Sequence, residues 1–419
     1  MRAALTFALA CLVVVSCAPP PPPVTVTAAS ATPVASTAPA TASPTPEPVE
    51  APAAPAPTPP PVVLPRCAGS ASGAAVAYCV DGARVDIDTD IGERDVVLLL
   101  AQIEDDLAAV QREFAWTLRG TPRIDVYATR ERYVGGLVGV FGYSRATAEY
   151  VADNSVAFFE PALTRIAVLW DAVKDRRPIA AIRHELTHVV TLEACAPRCD
   201  LVPAWLNEGQ ARLAEALIPG ADWRLLRVRD EAASMAATGT LMPLTALWTQ
   251  GQWNAIADWA GYYKYQEAAR AMELLRADIG DGAIAKLYAR IRAGQDVPRA
   301  YATLSGRSFD AFTASLDARI REGAPAGPAI ALATPGAEGG PASYLLYGFP
   351  SEAHVTLRIH ARHVDETQDV AVSPQGAYFA SLDDGVPPGL YTISATLGGT
   401  TVSVSVTKRG GRTPQVRSD

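Results

Sequence analysis

Three observations predict an α+β domain followed by an all-β sandwich. Between about residues 76 and 293, a few short strand patterns give way to apolar positions recurring at three- and four-residue steps, the mark of helices with one buried face. Beyond residue 329 the pattern changes to short runs of strict alternation separated by turn residues. Gly323-Ala324-Pro325-Ala326-Gly327-Pro328 lies between the two regimes and reads as a boundary.

The first strands, Val76–Val80 and Ala83–Ile87, flank Asp81-Gly82, a strong hairpin signal. Ile103, Leu107, Val110 and Phe114 then mark one face of a helix, and Arg123–Tyr127 follows as a short strand. Val156–Phe159 and Arg165–Trp170 are two more. Pro178 suits the first turn of a helix on which Ile179, Ile182, Leu186 and Val189 form an apolar stripe. A further helical pattern opens at Pro203 and runs through Ala211, Leu213 and Ala216. The aromatics Trp248, Trp253, Trp259, Tyr262, Tyr263 and Tyr265 precede a helix from about Gln266 to Ala277, and another runs from Gly282 to Ala293.

The stripe beginning at Ile179 carries His184-Glu185-Leu186-Thr187-His188. Residues i and i+4 stack one above the other on a helix, so two imidazoles so placed reach a single Zn²⁺ at about 2.0–2.1 Å. Glu185 projects about 100° further round and leans over the metal, which makes it the general-base candidate. A catalytic zinc needs a third protein ligand and one open position. Glu208, in Trp205-Leu206-Asn207-Glu208-Gly209, lies twenty residues after His188, room for one helix to finish and a second to return.

HELTH followed by WLNEG resembles the gluzincins, the thermolysin-like clan of zinc metallopeptidases, and within it the peptidase MA-like domains of bacterial surface proteins. The resemblance covers about residues 85–320. It implies a small mixed sheet with zinc-binding helices, zinc held by His184, His188 and Glu208, Glu185 as catalytic glutamate, and a peptide or protein substrate. It implies an oxyanion-stabilising tyrosine at the start of the helix after the aromatic run, where Tyr263 is the first choice and Tyr265 the second. It also places an edge strand beside the cleft, and Arg165–Trp170 is either that strand or a covered interior one. The chain departs from the pattern at Arg212, where thermolysin-like enzymes carry an acidic residue that orients a zinc-bound histidine. That support must come from elsewhere, from Glu215 or a backbone carbonyl. The competing class is a surface binding or scaffold protein with a degenerate site, but metal binding alone does not need Glu185.

Arg2, the apolar run Ala3–Val15 and the small Ser16 read as a secretory signal too short for a membrane span. Val14-Val15-Ser16-Cys17 resembles a bacterial lipobox, implying lipidation of Cys17 and a membrane partner, with an ordinary signal peptide as the alternative. Residues 17–66 are mostly Pro, Ala, Thr, Ser and Val, a composition that buries no core and forms a stalk on the order of 100 Å long when extended. Cys67, Cys79, Cys195 and Cys199 suit an oxidising compartment. Three pairings are possible, the simplest being the local one, which closes the turn between the two histidine- and glutamate-bearing helices.

In the C-terminal part, His354–Ala361 alternates, and Tyr391–Val406 repeats that pattern on either side of Gly398-Gly399. Tyr347-Gly348-Phe349-Pro350 and Pro388-Gly389-Leu390-Tyr391 resemble immunoglobulin-like modules. The divisions are a signal at 1–16, the stalk at 17–66, the metallopeptidase-like domain at 67–322, the immunoglobulin-like sandwich at 329–408 and a disordered tail at 409–419. A formal charge of −8 argues against a nucleic-acid partner. The lipobox reading predicts that the protein sediments with the membrane fraction and that Cys17→Ser releases it or leaves it unprocessed; identical fractionation of both forms in an immunoblot refutes lipid anchoring.

Overall fold

In a computed structural model of the chain, residues 64–67, 75–174, 178–220, 222–256, 258–322, 327–332, 342–373, 376–382, 387 and 389–408 are described. The expected signal, Cys17, nearly all of the stalk, the tail and most of the 323–328 boundary lie outside them. The fold is a mixed α+β arrangement. β1 (Ala75–Val80) and β2 (Ala83–Asp88) form the expected antiparallel hairpin. α1 (Glu93–Phe114) begins ten residues before the first position of its anticipated stripe and buries Val96, Leu99, Leu100, Ile103, Leu107, Val110 and Phe114 along one side. β3 (Arg123–Tyr127), α2 (Arg130–Gly139), α3 (Arg145–Asn154), β4 (Ala157–Glu160) and β5 (Arg165–Leu169) follow.

The five strands run in the order β1-β2-β3-β5-β4, with β2, β3 and β5 parallel. β5 is therefore the covered interior strand of the two possibilities, and β4, antiparallel to it, forms the edge. The alternation of a strand sorts its side chains to two faces. Ile166 and Val168 join the main core with α1, whereas Ala167 and Leu169 join a second cluster with Tyr133, Leu137 and Val151 of α2 and α3. Helices thus cover both faces of the sheet.

The short α4 (Trp170–Val173) leads to α5 (Ala180–Cys195) and, through a tight turn, α6 (Ala204–Ala216). Pro178 stands two residues ahead of α5 instead of within its first turn. Disulfides join Cys67 to Cys79 and Cys195 to Cys199, the local pairing, and the second closes the turn between α5 and α6. α7 (Asp222–Thr238), α8 (Gln250–Ala255), α9 (Asp258–Ile279), α10 (Ala283–Arg292), α11 (Val297–Ser305) and α12 (Phe309–Arg321) complete the helical part. α9 starts eight residues earlier than the sequence pattern indicates, so Tyr263 and Tyr265 sit within it and not ahead of it.

Among the described residues, the C-terminal part holds seven strands: β6 (Ala329–Leu332), β7 (Ala342–Tyr347), β8 (His354–Ala361), β9 (Val364–Ala371), β10 (Tyr378–Leu382), β11 (Gly389–Leu397) and β12 (Thr400–Lys408). They form sheets ordered β10-β7-β6 and β12-β11-β8-β9. One apolar core draws Leu346 and Leu382 from the first and Val355, Leu357, Ile359 and Ile393 from the second. Tyr391 donates its hydroxyl proton to the Pro387 carbonyl at 2.6 Å, pinning the entry to β11. Among the described residues no helix is long and apolar enough to cross a membrane.

α6 crosses α9 at Gly209, where an added Cβ would come within 2.5 Å of the Ala268 carbonyl oxygen. Helix propensity alone would make Gly209→Ala stabilising by about 1 kcal/mol, but the blocked contact is backbone and cannot turn aside. We expect Gly209→Ala to be net destabilising by about 1–3 kcal/mol, the range for overpacking, as read from denaturant midpoints; an unchanged or raised midpoint would show that the crossing has slack.

Candidate metal centre

α5 is held in place from both ends before any ligand chemistry begins. Gln102 of α1 clamps its start, donating to the Ile179 carbonyl at 2.9 Å and accepting from the Ile179 amide at 3.0 Å. One turn on, buried Arg183 donates to Asp106 of α1 at 2.7 Å. Near the far end, Glu193 accepts from the Trp116 indole and from the amides of Arg119 and Gly120. α6 is fixed at its start by the Ala204 amide, which donates to the Trp248 carbonyl, and by buried Trp205 stacked on Phe309 of α12.

These two helices bring His184, His188 and Glu208 together, with one potential ligand atom of each lying within 4.8 Å of the others. Glu208 Oε2 is 3.5 Å from His184 Nε2 and 3.6 Å from His188 Nε2. Such separations are long for hydrogen bonds, yet they match the roughly 3.4 Å between donors placed tetrahedrally about one Zn²⁺ at the usual bond lengths. His184, Glu185 and Glu208 are 0 % exposed and His188 4 %. Among the described residues, both Nε2 atoms, both Glu208 oxygens and both Glu185 oxygens are buried without a hydrogen-bond partner. A buried polar atom left unpaired costs about 1–3 kcal/mol, and the two Nε2 atoms gathered with the Glu208 carboxylate suit a shared occupant. Two imidazoles and a carboxylate suit a divalent transition metal, zinc above all.

Each histidine is also turned from behind. Nδ1 of His184 lies 2.6 Å from Glu215 Oε1, and Nδ1 of His188 lies 3.1 Å from Asn207 Oδ1. A carboxylate or amide oxygen can only accept, so each Nδ1 carries a proton and Nε2 is the ring atom that can face a metal, His184 giving up its second proton as the metal binds. Of the two supports left open by Arg212, it is Glu215 that reaches His184. Arg212 itself donates to Glu215 Oε2 and, at 3.2 Å, to Gln266 Oε1 of α9. The role of Asn207 escaped sequence reasoning, although its place beside Glu208 was the available signal.

Three carboxylates, Glu185, Glu208 and Glu215, gather here with one guanidinium. Burial opposes a charge on His184, but Glu208 and Glu215 outweigh it and push the imidazole up to about 10. Burial likewise favours neutral carboxyls, yet His188 and His184 hold Glu208 down to about 2, and Arg212 with His184 does the same for Glu215. The cluster thus draws in positive charge, which a divalent cation supplies with release of a proton. For Glu185 burial wins over the histidines and raises it to about 7, the range in which a general base works.

α9 supplies the next layer. Tyr265 packs beside His184, ring centroids 6.3 Å apart, and edge-on against Trp253 at 4.9 Å. Tyr263, the first choice from sequence, is two residues earlier, which puts it about 200° round the helix from Tyr265. Lys264 donates to the Trp253 and Ile256 carbonyls at 2.7 and 3.2 Å, tying α8 to α9; burial lowers its ammonium to about 8 against the pull of Glu208. No protein-family model matches the chain, and no curated protein matches it significantly.

Glu267 is fully buried on α9, accepts from the Met242 amide at 3.0 Å through Oε2 and leaves Oε1 without a hydrogen-bond partner. Burial raises its carboxyl from an ordinary 4.5 to about 8. Below 4.5 both folded and unfolded chains hold the proton. Between the two values only the folded chain does, so stability falls as pH rises across that window. Glu267→Gln removes the titration, and its unfolding midpoint is expected to exceed that of the wild type by at least about 1 kcal/mol in stability at pH 8, with the gap shrinking toward pH 4.5. Parallel pH profiles for the two proteins would contradict this assignment.

Proposed function

We propose that the chain is an extracytoplasmic, membrane-anchored zinc metallopeptidase of the gluzincin type, with an immunoglobulin-like module at its C-terminal end. The observation that carries this reading is the convergence of two imidazole Nε2 atoms, the Glu208 carboxylate and the Glu185 carboxylate in one buried place with no partner among them. His184, His188 and Glu208 would hold Zn²⁺, which when bound polarises a carbonyl and acidifies a water. Glu185, the carboxylate beside the first histidine, takes the proton of the attacking water and delivers it to the leaving amine. The hydroxyl of Tyr265, from its place beside His184, donates to the developing oxyanion, the role that Tyr263, on another side of α9, is not placed to share. Substrate pairs in extended form along β4, the edge of the sheet, which packs beside α5. The two-sheet core and the Tyr391 hydroxyl bonded four residues upstream favour the immunoglobulin-like assignment. A binding or scaffold lipoprotein with a degenerate site is the competing class; the engagement of Arg212 with Glu215 removes one of its supports.

Glu185→Gln separates the two classes. A binding role needs only the three ligands, whereas hydrolysis needs the base. With full-length protein we expect about one zinc per chain by elemental analysis in wild type and variant alike, and at least about a 10²-fold loss of cleavage of a peptide library in the variant. Zinc-loaded wild type that cleaves nothing would favour the scaffold class, and undiminished cleavage by Glu185→Gln would exclude this role for Glu185.

A further inference from the structure

A histidine ligand serves a metal well only if its ring is turned correctly and its proton is on the far nitrogen. For His184 both conditions are met from the helix that also carries Glu208. Glu208, Arg212 and Glu215 stand at i, i+4 and i+7 of α6, so they share one side of the helix over two turns. Glu215, the farthest along, reaches back to His184 Nδ1 at 2.6 Å, with ring and carboxylate both buried. Its second oxygen is taken by Arg212 Nη1, and the Nε of the same guanidinium donates to Gln266 Oε1 at 3.2 Å. Gln266 is fully buried and adjoins Tyr265 in α9.

A buried carboxylate in contact with a histidine ligand has two options. It can accept from the back of an imidazole, or it can swing forward and bind the metal itself, closing the position that hydrolysis requires to be open. Arg212 separates these outcomes. By holding Oε2 and offsetting its charge, the guanidinium leaves only Oε1 to act and fixes where it points. Gln266 in turn sets the plane of the guanidinium and anchors it to α9.

We propose that Glu215 is the positioning residue of His184, and that Arg212, braced by Gln266, keeps Glu215 directed at Nδ1 and away from the metal. The inference rests on the metal-centre reading above. Arg212, which breaks the resemblance to thermolysin-like enzymes, thereby becomes part of how this chain builds its site.

The test measures metal binding by the full chain, without reference to activity. Zn²⁺ affinity is obtained by competition with a chelating dye, and coordination geometry from the visible absorption of the Co²⁺-loaded protein. Glu215→Ala is expected to weaken Zn²⁺ binding about 10–100-fold and to alter the Co²⁺ spectrum. Glu215→Gln, which keeps an accepting oxygen, should recover most of that affinity. Arg212→Leu should change the Co²⁺ spectrum, and Arg212→Lys should restore it in part. Equal losses in Glu215→Ala and Glu215→Gln, or wild-type affinity and spectrum in Glu215→Ala, would overturn the positioning role while leaving the metal centre standing. If Glu215→Ala does not fold, a wild-type Co²⁺ spectrum and affinity in Arg212→Leu overturns the proposal instead. Wild-type protein that binds no Zn²⁺ would overturn both this inference and the reading beneath it.

Discussion

The helical part of this protein is organised around negative charge taken out of water. Glu185, Glu208 and Glu215 are almost entirely buried, and their neighbours include two imidazoles and the Arg212 guanidinium. Isolated carboxylates in such surroundings would cost far more than any local packing returns, so they persist only as a set with positive charge in its midst. That constraint gives a reason for the fastenings around the site. α5 is clamped by Gln102 and Asp106 at one end and by Glu193 at the other, while α6 is pressed against α9 through a position where only glycine fits. Each fastening resists the separation of the charges it surrounds.

How much of this was legible in the sequence depended on whether the governing interactions were local. That His184 and His188 share one face of α5 was plain, because the i, i+4 relation is a property of one helix. Glu208 followed from its distance in the chain, and the hairpin from Asp81-Gly82. The order of the sheet was not legible. Arg165–Leu169 and Ala157–Glu160 are both short and apolar, and only their pairing with β3 decides which is interior. The start of α9 was hidden for a related reason, since the aromatics and glycine ahead of Gln266 have weak helix propensity.

The outer layer of the site was least legible of all. Arg212 read as a defect because, taken alone, it puts a cation where an acid is expected; its meaning depends on Glu215 three residues on and Gln266 fifty-four residues away. Asn207 behaves the same way, an unremarkable polar residue until His188 is seen to face it. The tyrosines illustrate the limit from the other side. Two stood within two positions of each other in sequence, and the 100° step of the helix sends them to different sides, so only the crossing of α9 over the ligand helices distinguishes Tyr265.

The Cys195–Cys199 disulfide closes a ring of five residues in the turn between α5 and α6. A peptide bond hydrolysed anywhere inside that ring would not separate the two helices, because the sulfur bridge still joins them. The segment between His188 and Glu208 is the obvious weak point of a two-helix ligand set, since one cut there would turn a single chain into two fragments each holding part of the site. The bridge removes that vulnerability over its own span and confines it to the residues between Cys199 and the start of α6. Within its span the bridge thus guards the turn against the very reaction proposed for the site that the turn supports.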